Sequence, residues 1–170
     1  MNNIILCGFM GCGKTTAGKN LARKSGRHFV DMDKYIEKKA GMTVSQIFSE
    51  YGENGFRDME HNACAELAAQ HNLVVAAGGG ALTFERNVEI FKGVDTIVML
   101  DVPLDVIKHR LDGDKKRPLL QRSDRDEAMR SLYDERMPKY LAAADVVVKG
   151  EGTPLKTAFA VMEALKSAVK

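Results

Sequence analysis

Short apolar runs alternate with segments of helical periodicity along most of the chain. The runs occupy residues 4–7, 29–30, 73–77, 96–100 and 146–148, and β-branched side chains are common in them. Because consecutive positions of a run are apolar, rather than every second one, each run predicts a strand buried on both faces, as in a parallel sheet. The alternation of strand and helix therefore predicts a doubly wound α/β fold.

Helix signals fill the intervals between these runs. The segment Lys14–Ser25 has a helical pattern, and Thr43 with Gln46 three residues later predicts a capping box at the start of another helix. Pro103 and Pro154 occupy positions typical of the first helical residue. Two segments space their apolar residues three and four apart, which predicts one buried face on each helix. They contain Phe56, Met59, Ala63 and Leu67 in one, and Leu155, Phe159, Met162, Leu165 and Val169 in the other.

Length, composition and net charge exclude several kinds of protein for this chain. A length of 170 residues with 45% hydrophobic content predicts one domain, and a net charge of +2 excludes a protein that coats polyanions by bulk charge. No apolar run approaches the ~18–20 residues that span a bilayer. We interpret the N-terminus as a buried strand rather than a signal peptide.

Three cysteines without a CxxC pair favour a reducing compartment, hence the cytoplasm. No long exposed apolar stripe demands a partner, so we expect a monomer.

One motif carries specific chemistry. Residues 8–15 fit GxxxxGK[ST] between a predicted strand and a predicted helix, which is the context that a phosphate-binding loop requires. Its glycines let backbone N–H groups approach phosphate oxygens, and the helix N-terminus adds partial positive charge. Lys14 supplies a full charge to the β- and γ-phosphates. The hydroxyl of Thr15 suits Mg²⁺, and that of Thr16 can donate to a phosphate.

Ligands gather at the carboxyl ends of parallel strands, so the residues that follow each run are candidates. Asp31 and Asp33 follow the second run and would point the same way in an extended chain, one suited to hydrated Mg²⁺ and one to a substrate hydroxyl. Alternatively, one of them only caps a helix that starts near Lys34. Asp101 follows the fourth run and competes with Asp31 for magnesium, or caps a helix itself. Glycines 78–80 follow the third run and permit close approach of a ligand.

Arginines mark two further candidates. Arg136 shares a predicted helix face with Tyr133 and Tyr140, so it either extends to solvent or meets an anion. Arg57 suits bidentate capture of a carboxylate, although a surface pair with Glu60 at i+3 is an equal alternative. Residues 108–136 contain six of the ten arginines in a charged, Gly- and Pro-punctuated stretch. That stretch is either a functional lid or a solvated loop.

The motifs GFMGCGKTT, DMD, GENGFRDME, AAGGGAL, KRPLL and ERMPKY, in this order, resemble shikimate kinase over essentially the whole chain. The resemblance implies a P-loop NTPase of the nucleoside-monophosphate-kinase-like type: a three-layer α/β sandwich with a five-stranded parallel sheet in the order 2-3-1-4-5 and a mobile lid. It implies a single kinase domain over 1–170, with a substrate-binding region at about 32–60 and the lid at about 112–124. The implied reaction is transfer of the γ-phosphoryl group of ATP to the 3-hydroxyl of shikimate, on the route to chorismate and the aromatic amino acids.

The resemblance also implies the role of each matching residue on the nucleotide side. Thr15 would ligate a Mg²⁺ ion that accompanies ATP, and Asp31 would reach it through water, which favours Asp31 over Asp101. Arg117 would close on the phosphates from the lid, and Arg110 and Pro154 would lie near adenine. The residues that would bind the ATP phosphates are Gly11, Cys12, Gly13, Lys14, Thr15 and Thr16.

On the acceptor side, Asp33 would bind the reacting hydroxyl as base or orienter, which makes Lys14, Asp33 and Arg117 the implied catalytic set. Arg57 and Arg136 would clamp the shikimate carboxylate. The acceptor pocket would be completed by two glycines and two aromatic residues: Gly79, Gly80, Phe48 and Phe56.

Two other functions are open from the sequence. The first is another small-metabolite kinase of the same fold, such as a gluconate kinase, although an open-chain sugar acid is expected to need a different polar arrangement. The second is an NTP-dependent nucleic-acid-binding module. Against it, seven acidic residues offset nine Lys and Arg within 108–136, and no basic stripe interleaved with aromatic residues is present. The expected partners are therefore the small molecules ATP and shikimate, without nucleic acid or membrane.

Overall fold

A single parallel sheet forms the centre of the computed structural model, which describes residues 2–113, 122–150 and 152–168. Its strands are β1 (Ile4–Cys7), β2 (His28–Asp31), β3 (Leu73–Ala76), β4 (Thr96–Asp101) and β5 (Val146–Lys149). They lie in the order β2-β3-β1-β4-β5, and every neighbouring pair is parallel. The predicted order and the P-loop NTPase fold are confirmed.

Helices cover both faces of this sheet, and every residue of its central strands β1 and β3 is therefore buried. The described helices are α1 (Lys14–Ser25), α2 (Met32–Ala40), α3 (Val44–Ala68), α4 (Glu85–Phe91), α5 (Leu104–Arg110), α6 (Arg125–Ala143) and α7 (Pro154–Ala168). A 3-10 turn, Ala81–Thr83, precedes α4. None of the helices within these described ranges has the length and apolar character needed to cross a bilayer.

The helix α3 begins and bends where its sequence directs. The capping box is confirmed, since Thr43 N donates to Gln46 Oε1 at 2.8 Å and Gln46 N donates to Thr43 Oγ1 at 3.3 Å. Gly52 breaks the helix with φ 69° and ψ −176°, a conformation that favours glycine. Beyond the break, Phe56 and Leu67 are buried, so the predicted face packs on the core.

Three sequence predictions about helices are corrected. First, α2 begins at Met32 rather than near Lys34, so Asp33 lies in its first turn and does not share an extended segment with Asp31. Second, α5 begins at Leu104, because Pro103 has an extended ψ of 144° and precedes the helix.

The third correction concerns the buried face of α7. Leu155 and Phe159 of the predicted apolar stripe are 39% and 46% exposed. Met162 and Leu165 of the predicted stripe are partly buried against the core, while the most buried positions of α7 are Thr157, Ala158 and Val161. These smaller side chains allow α7 to pack closely against α1 and β5. Phe159 lies on the surface, where the Lys24 ammonium is 5.6 Å from its ring centroid.

A buried polar network fixes the amino-terminal end of the sheet, opposite the predicted site. Asn3 is 0% exposed, and its amide donates to the carbonyls of Leu67 and Gln70 at 3.2 and 2.8 Å. Its side-chain oxygen accepts from Leu73 N at 2.9 Å, and its backbone N–H donates to Asp95 at 2.7 Å. The residue before β1 therefore ties the end of α3 and the start of β3 to the loop before β4.

We expect Asn3→Ala to lower the free energy of unfolding by about 2–3 kcal/mol, because it leaves several buried backbone groups without partners. Urea unfolding followed by circular dichroism measures this change. The neighbouring exposed residue supplies the control, since Asn2→Ala should change the free energy by less than about 0.5 kcal/mol. Equal midpoints for the two variants would contradict the role given to the network.

Candidate active site

A cavity of about 640 Å³ opens at the carboxyl ends of the strands. It is lined on one side by six residues of the phosphate-binding loop and by Arg110 and Pro154, and on the other by Asp33, Arg57, Gly79, Gly80 and Arg136. The loop residues are Gly11, Cys12, Gly13, Lys14, Thr15 and Thr16, and Asp31 lies on the same cavity. Of the predicted site residues only Arg117 lies outside the described residues. The fold thus brings these described candidates to one place, while their roles stay predictions; Phe48, predicted for the acceptor pocket, does not line the cavity.

The phosphate-binding loop has the backbone shape that its glycines permit. Gly13, directly before α1, has a φ of 100°, which L side chains rarely adopt. The ammonium of Lys14 donates to the carbonyls of Gly8 and Phe9 at 2.7 and 3.2 Å and lies 3.8 Å from Cys12 Sγ. The positive charge is therefore held against the inner surface of the loop, beside the N-terminus of α1.

One carboxylate joins this loop to the next strand. The hydroxyl of Thr15 donates to Asp31 Oδ2 at 2.9 Å, while Asp31 Oδ1 accepts from Lys34 N at 3.3 Å. Asp31 therefore caps α2, which confirms that interpretation, and it also lines the cavity beside Thr15, while its role toward magnesium stays a prediction. Two hard oxygen donors at this position fit a magnesium ion that is otherwise ligated by phosphates and water.

Asp101 does not compete at this position. Although it ends β4, it is not among the residues that line the cavity, and its carbonyl accepts from Gly150 N at 2.9 Å. The alternative helix-capping role is also wrong, because the residue at the cap position of α5 is Pro103.

Two carboxylates meet across Gly78 on the acceptor side. A Cβ atom at Gly78 would lie 2.7 Å from Glu60 Oε1 and 2.8 Å from Asp33 Oδ1. Only a hydrogen atom fits in this space, so the strand end and the two helices α2 and α3 approach each other closely here. Asp33 reaches the cavity from the first turn of α2, and Glu60 reaches it from α3.

Glu60 is 1% exposed and is paired with Arg57, whose Nη1 donates to Glu60 Oε2 at 2.5 Å. Burial raises the pKa of Glu60 above its ordinary value, against the lowering effect of Arg57. Burial alone would lower the pKa of Arg57, but its bonds to Glu60 and Glu53 raise it, so Arg57 stays charged. The Arg–Glu pair seen in the sequence therefore exists, but it is buried rather than a surface pair.

The second predicted clamp residue arrives from α6. Arg136 Nη1 donates to the carbonyl of Gly79 at 3.2 Å, and the Tyr140 hydroxyl donates to the same carbonyl. Burial raises the pKa of Tyr140 to about 12, so the hydroxyl remains a donor. On the same helix, the Tyr133 hydroxyl donates to the carbonyl of Val102 at 3.0 Å. The predicted helix face therefore points inward, and Arg136 lines the cavity.

Two further groups complete the walls. Arg110 bridges the phosphate-binding loop and the segment after β5, since it donates to the carbonyls of Cys12 at 3.2 Å and Gly150 at 2.8 Å. Phe56 lines the acceptor side, and Phe48 packs on it with ring centroids 4.7 Å apart.

The sequence interpretation did not place Glu60 in the site. A signal was available, because Glu60 follows Phe56 by four residues and precedes Ala63 and Leu67 by three and seven, on the buried stripe of α3. A charged residue on an apolar stripe requires a partner, and Arg57 is that partner.

Comparisons with known proteins agree on one family. The family model described as "Shikimate kinase" matches residues 10–166. A shikimate kinase from Persephonella marina is 41% identical over 89% of this chain and 91% of its own, and one from Thermodesulfovibrio yellowstonii is 42% identical over 93% and 91%. A solved structure of shikimate kinase from Acinetobacter baumannii in complex with shikimate has a TM-score of 0.92 and 38% identity, covering 98% of this chain and 94% of that one.

Proteins with little sequence identity to this chain also share its fold. A solved gluconokinase from Sinorhizobium meliloti has a TM-score of 0.62 at 16% identity, covering 99% of this chain and 96% of that one. At this identity the likeness shows the fold alone.

We expect Gly78→Ala to lower the free energy of unfolding by about 1–3 kcal/mol, because the new methyl group would overlap two carboxylate oxygens and Glu60 has no room to withdraw. Gly79→Ala is the matched control, since a Cβ there would meet Arg136 Nη1 at an ordinary 3.6 Å. It should change the free energy by less than about 1 kcal/mol. Thermal and urea unfolding of both variants test the difference. A Gly78→Ala protein as stable as Gly79→Ala would show that the carboxylates do not meet across this residue.

Proposed function

The chain belongs to the shikimate kinase family, and we propose that it transfers the γ-phosphoryl group of ATP to the 3-hydroxyl of shikimate, giving shikimate 3-phosphate and ADP. The observation that carries this proposal is the shared cavity, which has a phosphate-binding loop on one side and a carboxylate with two arginines on the other. The reaction belongs to the shikimate pathway, which leads to chorismate and the aromatic amino acids.

On the nucleotide side, the backbone of residues 11–16 binds the phosphates and the charge of Lys14 is directed to the β- and γ-phosphoryl groups. This lysine lies against the loop already, bonded to the Gly8 and Phe9 carbonyls, so its charge is placed by the same backbone that binds the nucleotide. Phosphoryl transfer depends on positioning and on neutralising the equatorial oxygens rather than on covalent help. The loop and its lysine supply both.

The oxygen donors Thr15 and Asp31 fit a single magnesium ion that arrives with ATP, because they are 2.9 Å apart on the cavity wall. Thr15 would ligate the ion directly and Asp31 through water. An ion held by these two residues would supply positive charge beside the phosphates. Asp31 keeps its capping bond to Lys34 N, which fixes the carboxylate in place.

On the acceptor side, Asp33 accepts a hydrogen bond from the 3-hydroxyl and orients its oxygen toward the γ-phosphorus. In a largely dissociative transition state this proton is lost late, so Asp33 acts first as an orienter and then as a base. Its position in the first turn of α2 places it beside Glu60 across Gly78.

Arg57 and Arg136 clamp the carboxylate at the far end of the ring. Two guanidinium groups from two different helices, α3 and α6, converge on one cavity, and arginine presents paired N–H donors that match a carboxylate. Gly79 and Gly80 line the same cavity and leave space for the ring, while Phe56, supported by the ring of Phe48 behind it, forms the apolar wall.

The remaining parts of the proposal concern the adenine and the lid. Arg110 and Pro154 line the cavity, and we propose that they flank adenine. We propose that residues 112–124 form the lid and that Arg117, which lies outside the described residues, closes on the phosphates. Closure would exclude water, which otherwise competes with shikimate as acceptor. We also propose one kinase domain over 1–170 and a monomer in the cytoplasm, in keeping with the three free cysteines.

The alternatives are not favoured. A gluconate kinase shares the fold at 16% identity, whereas shikimate kinases are about 40% identical over most of the chain. No observation in the described residues supports the nucleic-acid-binding module.

A coupled ADP-release assay with ATP, Mg²⁺ and an acceptor panel tests the function. We expect turnover with shikimate but not with gluconate, and a loss of kcat of ~10²-fold or more for Asp33→Asn, because the amide cannot accept the proton. Asp105→Asn, an exposed carboxylate in the first turn of α5, is the control and should retain full activity. ATP hydrolysis that ignores shikimate but rises with DNA or RNA would overturn the proposal, as would full activity of Asp33→Asn.

Arg136→Ala should raise the KM for shikimate by about 10–100-fold and leave the KM for ATP nearly unchanged, because it removes a charge-assisted contact to the acceptor carboxylate. Arg130→Ala on an exposed position of the same helix is the matched control and should change neither constant. Steady-state kinetics with each substrate varied in turn measure both. A selective loss of ATP affinity in Arg136→Ala would contradict the clamp.

A further inference from the structure

Phe84 is a large aromatic residue that the packing of the core does not account for. It lies between the 3-10 turn and α4, and its side chain is 38% exposed. Its backbone carbonyl caps α4 by accepting from Asn87 N at 3.0 Å and Val88 N at 3.3 Å, but any residue could make these bonds. The ring therefore needs a separate explanation.

The ring of Phe84 lies against the guanidinium of Arg57, with Cζ 5.3 Å from the ring centroid. This distance is within the ~6 Å range in which an arginine is attracted to the face of an aromatic ring. The ring of Phe56 is also near, at 5.5 Å, but Phe56 is buried and belongs to the core. Of the two rings, Phe84 is therefore the one that lies outside the buried core.

Other atoms of the same segment also contact Arg57. A Cβ at Gly80 would overlap the guanidinium, so the backbone there bounds its movement. Arg86 Nη2 donates to the backbone carbonyl of Arg57 at 3.1 Å. The side chain of Thr83 donates to the Gly80 carbonyl at 2.7 Å, which holds the turn that connects Gly80 to Phe84. Residues 80–86 therefore contact Arg57 at its backbone, at the end of its side chain and through a ring.

The carboxylates that contact Arg57 leave part of it available. Nε and Nη2 donate to Glu53 at 3.3 and 3.1 Å, and Nη1 donates to Glu60 at 2.5 Å. A guanidinium has five N–H groups, so two remain for a ligand in the cavity. Glu53 is 66% exposed, and exposed pairs restrain an arginine only weakly. The buried pair with Glu60 fixes the position of Nη1, and a contact on the face of the guanidinium adds a restraint on its plane.

We propose that Phe84 is a positioning residue that fixes the Arg57 guanidinium for the carboxylate of the acceptor. This inference rests on the proposed function of Arg57 as a clamp. The ring restrains the guanidinium before the acceptor binds, so less side-chain entropy is lost on binding. The effect belongs to the binding of shikimate and not to the transfer step or to ATP.

Phe84→Leu keeps an apolar side chain but removes the ring, and we expect the KM for shikimate to rise about three- to tenfold, with kcat and the KM for ATP unchanged. Phe84→Tyr keeps the ring and should restore a KM close to that of the unmodified chain. Thermal unfolding of each variant separates this effect from a loss of fold. Should Phe84→Leu be poorly folded, Phe84→Met supplies a second ring-free variant of similar size. An unchanged KM for shikimate in a folded ring-free variant would overturn the proposal. A KM in Phe84→Tyr as high as that in Phe84→Leu would overturn it too.

Phe159→Leu is the matched control. Phe159 is also an exposed ring beside a cation, but that cation, Lys24, does not line the cavity as Arg57 does, so replacing Phe159 should leave the shikimate KM unchanged. An equal rise in KM for Phe84→Leu and Phe159→Leu would show that the effect is not specific to Arg57, and would overturn the inference.

A double-mutant cycle distinguishes this inference from the proposed function. The dissociation constant of shikimate is measured by calorimetry for Phe84→Leu, Arg57→Ala and the double variant. If Phe84 acts through Arg57, Phe84→Leu has no further effect once Arg57 is alanine. Additive effects, or a large effect of Arg57→Ala with none of Phe84→Leu, overturn the role of Phe84 alone. No effect of Arg57→Ala would instead reject the clamp itself.

Discussion

Burying an ionised carboxylate costs free energy unless a positive charge pairs with it or the group becomes protonated. This constraint determines how the residues of the acceptor half of the cavity are arranged. Glu60 is buried on α3, and Arg57, one turn earlier on the same helix, compensates it. The pair fixes where the guanidinium lies relative to the end of β3, where Asp33 approaches Glu60 across Gly78. The need to compensate the buried charge of Glu60 therefore brings together Arg57, the proposed anion clamp, and the strand end at which Asp33, the proposed base, lies.

The part of the fold that the sequence predicts well is the part governed by local or strongly periodic signals. The continuous apolar runs located all five strands, and GxxxxGK[ST] located the phosphate-binding loop and the start of α1. The strand order came from the family resemblance, because periodicity does not encode which strands are neighbours. The capping box at Thr43 also needed only residues three apart.

The differences from the sequence predictions have two physical origins, packing and helix capping. On α7, Leu155 and Phe159 have the hydrophobicity of buried residues, but small side chains on another face pack closer to α1. Asp33 was expected in an extended segment, yet Asp31 caps the helix immediately and draws Asp33 into its first turn. Phe84 gave no periodic signal, since its contact with Arg57 joins residues 27 positions apart. Such contacts depend on tertiary structure that no window of the sequence contains.

The space at Gly78 has a consequence for other sequences. Since carboxylate oxygens from two helices lie within 3 Å of the place where a Cβ would be, a larger residue here requires at least one of these side chains to move. A chain that kept the nucleotide loop and both arginines but carried alanine here would have to separate its two acids. The residue type at this one position therefore indicates whether a related chain can hold its two acids as close together as they lie here.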